Sequence, residues 1–358
     1  MTADSIKILR SLLILFVAFF PGLLGAPAQQ PQPAVPSPST PIKLTVVVDS
    51  KTGQPVANLT QQDFTILDNK SRRPITSFRV MTPAQEPVEV ILLIDAVNTP
   101  YEMVAYMRNG AEKFLKKSEG ALAHPTTIAV LTDNGIQIEN GFSTDGNALN
   151  DTLKKHEIGL REIMRESQWS GIDRLTISVR ALHQLVAYAS TLPGRKVILF
   201  VSPGWPLFSG PDIYLDYETE QQIFGDVVSF SGELRQAGIT LYNINPIGAG
   251  QPMLQAEYYK VFLNGVTKPS NAQFGNLGIQ VLAIQSGGLT FESNSDVSGN
   301  IQKCLADVQS WYEIAFDPLP ADQPNKYHQI QIKFDKPGFI ARTRTGYYSN
   351  PQIIEPHR

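Results

Sequence analysis

One cysteine, Cys304, occurs in 358 residues, so an intramolecular disulfide is impossible and stability must come from burial. Ile301, Leu305 and Val308 surround Cys304 at helical spacing, and the thiol reads as structural and buried rather than reactive. Neither sign of charge dominates: the net charge is −3, and the cations Arg72-Arg73, Lys116-Lys117 and Lys154-Lys155 occur only as pairs. That argues against a nucleic-acid or anionic-membrane footprint, which needs a clustered basic surface. The five histidines are scattered, with no H-E-x-x-H zinc pair. The chain lacks a G-x-S-x-G elbow, a G-x-G-x-x-G turn and a G-x-x-x-x-G-K-[ST] loop. Hydrolase, dinucleotide and nucleotide-phosphate chemistry therefore have no signature here. The expectation is a protein that is not an enzyme.

Hydrophobic residues make up 42% and charged residues 18%, enough for a sizeable core. Residues 1–28 have the layout of a secretory leader. Lys7 and Arg10 precede the apolar run from Ser11 to Leu24, and Ala26-Pro27-Ala28 fits a small-x-small cleavage site. The run is short for a bilayer, which needs about 20 residues, and no later stretch is longer. An exported protein, periplasmic or extracellular, is expected. Residues 29–41 (QQPQPAVPSPSTP) read as a Pro-rich linker, and 350–358 as a tail.

Residues 42–82 read as β-rich, with Thr60 placed to cap a single turn ending at Asp63. From residue 86 to 308 the pattern changes. Val88–Asp95, Thr127–Thr132, Lys196–Ser202 and Gly238–Ile244 are short apolar runs, as in central parallel strands covered on both faces. Between them, Val104, Met107, Ala111 and Phe114 repeat at helical spacing, as do Leu175, Val179, Leu182 and Val186, and Ile223, Val227, Phe230 and Leu234. Alternation of this kind predicts a doubly wound, mostly parallel α/β sheet. Residues 309–349 return to β alternation. Segments 42–82 and 309–349 are each too small for a core. They are expected to pair into one small β-sandwich with the α/β domain inserted between them.

The order of motifs resembles the VWFA-related proteins of the Acidobacteria type, a von Willebrand factor A-like family. The resemblance runs over nearly all of the expected mature chain. It is carried by VVVDSKTGQPVANLTQQDFTILDNKSRRPITSF (46–78), ILLIDAVNTP (91–100), LPGRKVILFVSPGWP (192–206), AIQSGGLTF (283–291), WYEIAFDPLP (311–320) and RTRTGYY (342–348). It implies a Rossmann-like sheet with a site at the carboxyl ends of its strands. In von Willebrand A domains that place holds a metal-ion-dependent adhesion site, where D-x-S-x-S, a loop Thr and a second Asp bind a divalent cation such as Mg²⁺. Here the match is partial. Asp95 keeps the aspartate, Val97 replaces the first serine, and Thr99 replaces the second. Asn98 adds an amide oxygen, and Thr176 is the nearest loop threonine, with Asp173 beside it. Ser202-Pro203-Gly204 stands where the second aspartate is usual. Asp95, Asn98, Thr99 and Thr176 are thus the candidate ligands of a degenerate site, with Mg²⁺ or another divalent cation as the only cofactor implied.

For Asp95 the plainer alternative is a carboxylate bonded to loop amides, and for Asn98-Thr99-Pro100 a helix cap. The resemblance implies a protein partner, met at the Asp95 edge with help from loops 203–215 and 245–275. Trp205, Tyr258 and Tyr259 are the candidate contacts there; Trp205 with Pro206, Leu207 and Phe208 reads equally as a buried lid. The competing reading is a structural or sensor scaffold of the cell envelope with nothing bound at that edge.

Overall fold

The computed structural model describes residues 40–349, apart from 52, 54, 156–167, 207–213, 249–256, 320–322 and 335–336. The expected leader, nearly all of the linker and the tail lie outside the described residues, as do Leu207, Phe208, His156 and His357.

The chain opens with four strands, β1 (Ile42–Ser50), β2 (Phe64–Asp68), β3 (Ser71–Arg73) and β4 (Ile75–Met81). Thr60 and Asp63 form a capping box before β2, with Thr60 N–H donating to Asp63 Oδ2 at 2.8 Å. The α/β region follows as β5 (Val88–Asp95), α1 (Tyr101–Leu115), β6 (Ala121–Thr132), β7 (Gly135–Ile138), β8 (Ser143–Asp145), α2 (Gly146–Lys155), α3 (Gln168–Ser190), β9 (Arg195–Val201), α4 (Tyr217–Gln236), β10 (Ile239–Ile244), α5 (Ile279–Gln285), β11 (Thr290–Phe291) and α6 (Val297–Ala306). The chain then returns to β structure in β12 (Trp311–Phe316), β13 (Tyr327–Phe334), β14 (Phe339–Arg342) and β15 (Gly346–Tyr348).

The central sheet has seven strands. Its order is β11-β10-β9-β5-β6-β7, with β8 also paired to β6. The first five of that order run parallel, and β7 and β8 are antiparallel. Alternate side chains of β5 serve opposite faces, as strand geometry requires. Ile91 and Leu93 join the layer of α3, α4 and α5, and Val90, Leu92 and Ile94 join that of α1, α2 and α6. Cys304 is fully buried in the second layer.

The N- and C-terminal segments pair directly. One four-stranded sheet has the order β14-β1-β12-β4 and the other β15-β13-β2-β3. Leu44, Val46, Phe64, Ile66, Tyr312, Ile314 and Phe316 share one apolar cluster between them. Buried in the second sheet, Asp68 receives Tyr347 Oη at 2.7 Å and lies 2.8 Å from His328 Nδ1. Burial alone would raise the Asp68 carboxyl; the bonds to His328 and Tyr347 outweigh it and hold the carboxyl low. At the junction with the central sheet, Arg342 makes a two-pronged contact with Asp307, which also accepts Tyr242 Oη at 2.6 Å. The A-x-x-x-G-G segment has a steric reason: Gly287 has φ +96°, and a Cβ on Gly288 would lie 1.9 Å from the Leu241 carbonyl oxygen.

One local expectation needs correction, and one stretch is added. No side chain caps α1: Pro100 stands at the cap and Asn98 points elsewhere. Strands β7 and β8 and helix α2 fill 135–155, which sequence periodicity leaves unassigned.

Candidate functional site at the carboxyl edge of the sheet

Asp95 ends β5, the strand between β6 and β9. Because β5 is central, its last side chain can turn only into the loops above the sheet. The chain immediately folds back: Val97 N–H and Asn98 N–H donate to Asp95 Oδ1 at 3.0 and 2.9 Å. Asn98 Nδ2 and Ser202 Oγ donate to Oδ2 at 2.9 and 2.7 Å. Asp95 is 0% exposed. Burial pushes its carboxyl up, and the bonds from Asn98, Ser202 and Val97 act in the opposite sense.

The second N–H of Asn98 reaches Ser178 Oγ on α3 at 2.9 Å, and Ser178 donates to the Arg174 carbonyl at 2.7 Å. Arg174, one turn earlier on that helix, is pushed down by burial and held up by the charges of Asp95 and Asp133. Ser202 Oγ accepts the Gly204 N–H at 3.1 Å, and Gly204 sits at φ +104° with Gln280 packed where a Cβ would be. Ser202-Pro203-Gly204 is thus a turn that aims one hydroxyl at Asp95.

The network continues sideways onto β10. Asn243 Nδ2 donates to the Ser202 carbonyl at 3.0 Å, and Thr290 Oγ1 lies 3.1 Å from Asn243 Oδ1 and 2.7 Å from Glu292 Oε1. Asn245 Nδ2 donates to Glu292 Oε2 at 2.6 Å. Burial pushes the Glu292 carboxyl up, against bonds from Asn245 and Thr290.

Of the candidate ligands, the structure joins Asp95 and Asn98. Thr99 is buried, with Oγ1 3.6 Å from Met107 Sδ. Thr176 is exposed on α3 and Asp173 likewise; the residue of that helix that reaches the cluster is Ser178. The candidate partner contacts lie mostly inside the domain. Trp205 is buried edge-on against Phe200, with centroids 6.1 Å apart, and Tyr259 is buried beside Phe262 and Val281. Tyr258 is half-buried in the same cluster. Among the described residues the most exposed aromatic rings are Tyr214, 92% exposed, just before α4, and Tyr217, 76% exposed, at its start. Sequence reading missed Ser178, Arg174, Asn243, Asn245 and Glu292. Asn243 carries a signal, because a polar side chain inside an apolar strand must find partners. Among the described residues no helix is long and apolar enough to cross a membrane, and no group of three or more His, Cys, Asp or Glu side chains is placed to hold a metal ion.

No family model and no curated protein matches the chain. Among solved structures, the crystal structure of the SpRpn10 VWA domain aligns over 62% of this chain and 97% of its own, at 11% identity and a TM-score of 0.28.

Proposed function

We propose that this chain is an exported, non-enzymatic protein-interaction module of von Willebrand A type, in which the adhesion site has become an internal brace. The family reading rests on the ordered sequence motifs, and export on the leader-like residues 1–28. The observation that carries the brace is Asp95: fully buried, with both oxygens filled by four protein donors at 2.7–3.0 Å. A Mg²⁺ ion needs near-octahedral oxygen ligands at about 2.0–2.1 Å. To reach Asp95 it would have to displace those donors. Recognition of a protein partner then falls to the rim. Tyr214 and Tyr217 offer large, partly polar rings suited to an interface core.

The second reading, an envelope scaffold with nothing bound at this edge, is favoured by the burial of Trp205 and Tyr259. Calorimetric titration of Mg²⁺, Mn²⁺ and Ca²⁺ into the full chain tests the brace. No saturable heat is expected. Saturable binding that disappears in Asp95→Ala would overturn it. For any partner later identified, Tyr214→Ser with Tyr217→Ser should weaken binding about tenfold or more; unchanged affinity favours the scaffold.

A further inference from the structure

At the opposite end of the central sheet, a cavity of about 250 Å³ lies where the amino ends of β9 and β10 meet the β14-β1-β12-β4 sheet. Strand alternation makes it polar. Leu44, Tyr312 and Ile314 point into the apolar cluster between the outer sheets, whereas Lys43, Thr45 and Glu313 point the other way and line the cavity. Arg79 stands directly across from Glu313 on the next strand. The central domain contributes Arg195, Lys196 and Arg235, and Arg344 enters from the β14–β15 connection. Six cations line the space against the carboxylates of Glu86 and Glu313.

The two carboxylates leave the innermost cations unmatched: Glu86 acts on Arg79, Arg195 and Lys196, and neither carboxylate acts on Arg344 or Arg235. Glu313 pairs with Arg79 at 2.7 Å on the solvent side. Lys196 Nζ is committed to the carbonyls of Leu192 and Gly194. Arg195 lies 4.8 Å over the Trp311 ring and donates to the Asp307 carbonyl, yet its Nε and one Nη are buried with no hydrogen-bond partner. Arg344 is 7% exposed, and among the described residues its guanidinium has no hydrogen bond and no ion pair. The charge that acts on it is Arg235, of like sign; burial, then Arg235, pushes Arg344 down to about 9. Arg235 is itself half-buried, pushed down by burial, and without an ion pair among the described residues. Two uncompensated guanidiniums facing one cavity are costly in isolation. An anion between them removes that cost; a guanidinium fork matches carboxylate and phosphate oxygens alike, and two facing forks favour the anion of higher charge and oxygen count, which is the phosphate.

We propose that this cavity binds a small polyvalent oxyanion of the phosphate or phosphomonoester class, with Arg344 and Arg235 as its direct ligands and Lys43 and Arg79 at its mouth. The site is remote from the Asp95 edge, and the proposal is independent of the reading given to that edge. It is tested by titrating inorganic phosphate, and separately glycerol phosphate, into the full chain near neutral pH, with sodium chloride at matched ionic strength as the control. Saturable binding of at least one is expected, with a sub-millimolar dissociation constant and a rise in melting temperature that grows with its concentration. Tighter phosphate marks a free anion and tighter glycerol phosphate an esterified one; either supports the site. Arg235→Gln, at a half-exposed position that tolerates the change, should weaken binding about tenfold or more. Arg344→Met should abolish it, while leaving the anion-free protein no less stable because it removes an unpaired buried charge. A response to both anions no larger than that to chloride would overturn the proposal. So would saturable binding that Arg235→Gln leaves unchanged.

Discussion

Replacing Asp95 by Ala separates a brace from a metal site by the sign of its effect on the metal-free protein. The substitution strands the Val97 and Asn98 backbone N–H groups in a buried turn. Each stranded donor costs about 1–3 kcal/mol. The other two donors lose less, because Asn98 keeps Ser178 and Ser202 keeps the Gly204 N–H. Removing the carboxylate also removes the burial cost that pushes its pKa up. The net loss is about 2–4 kcal/mol. With about 2–4 °C per kcal/mol in a protein of this size, the melting temperature should fall by roughly 5–15 °C. Thermal unfolding followed by circular dichroism, once in chelator and once in Mg²⁺, should give the same drop. An aspartate kept to hold an ion is an uncompensated charge when the ion is absent, so its loss would leave the chelated protein unchanged or more stable. A melting temperature in chelator equal to or above that of the parent refutes the brace.

Tyr347→Phe removes a 2.7 Å bond to the buried Asp68 carboxylate and should cost about 1.5–3 kcal/mol in denaturant unfolding; a neutral result would mean that His328 alone satisfies Asp68. The Asp68 carboxyl is lowered on folding, so its contribution is present above the ordinary carboxylate range and lost as pH falls through the folded value; Asp68→Asn should flatten the acid limb of the stability profile. His183, stacked 3.9 Å from Phe230, is raised above 6.5 by its bonds to Asp226 and Glu233 despite burial. Its contribution is therefore full below pH 6.5 and lost as pH rises through the folded value, and the gap in unfolding free energy between the parent and His183→Gln should close on going alkaline. Gly288→Ala forces a Cβ onto the Leu241 carbonyl and should prevent soluble expression; a soluble variant with an unshifted melting curve would show that β10 can yield there.

What could be read from the sequence followed burial. The VEVILLID run declares a central strand because both its faces are apolar, and β5 spans the same eight residues. The pairing of first and last segments follows from their size, since neither can bury a core alone, and the strand pairs that join them include β1–β12 and β2–β13. The hairpin of β6 and β7 has its signal in Asn134-Gly135 at the turn. Asp95 could be found because it ends an apolar strand, but its neighbours depend on helix phase. Residues 176 and 178 of α3 lie about 200° apart around the helix, so choosing Thr176 selected the solvent face. Leu175 and Leu182 mark the inward stripe, and Ser178 lies between them on it. Whether a strand-end carboxylate meets an ion or its own loop amides is decided by fractions of an ångström in backbone geometry, which composition and spacing do not encode.

The strands that carry the chain into and out of the α/β region, β4 and β12, are hydrogen-bonded neighbours, with Met81 opposite Trp311. Tension applied at the two ends of the chain would enter through β1 and β15. Both are strands of the outer sheets, but β15 also leans on the central domain, where Tyr348 packs against Phe224 of α4 and donates to the Val266 carbonyl. The central domain therefore shares the load on its α4 side, and the arginine cavity, lined by residues of β1 and β12, lies in the same path.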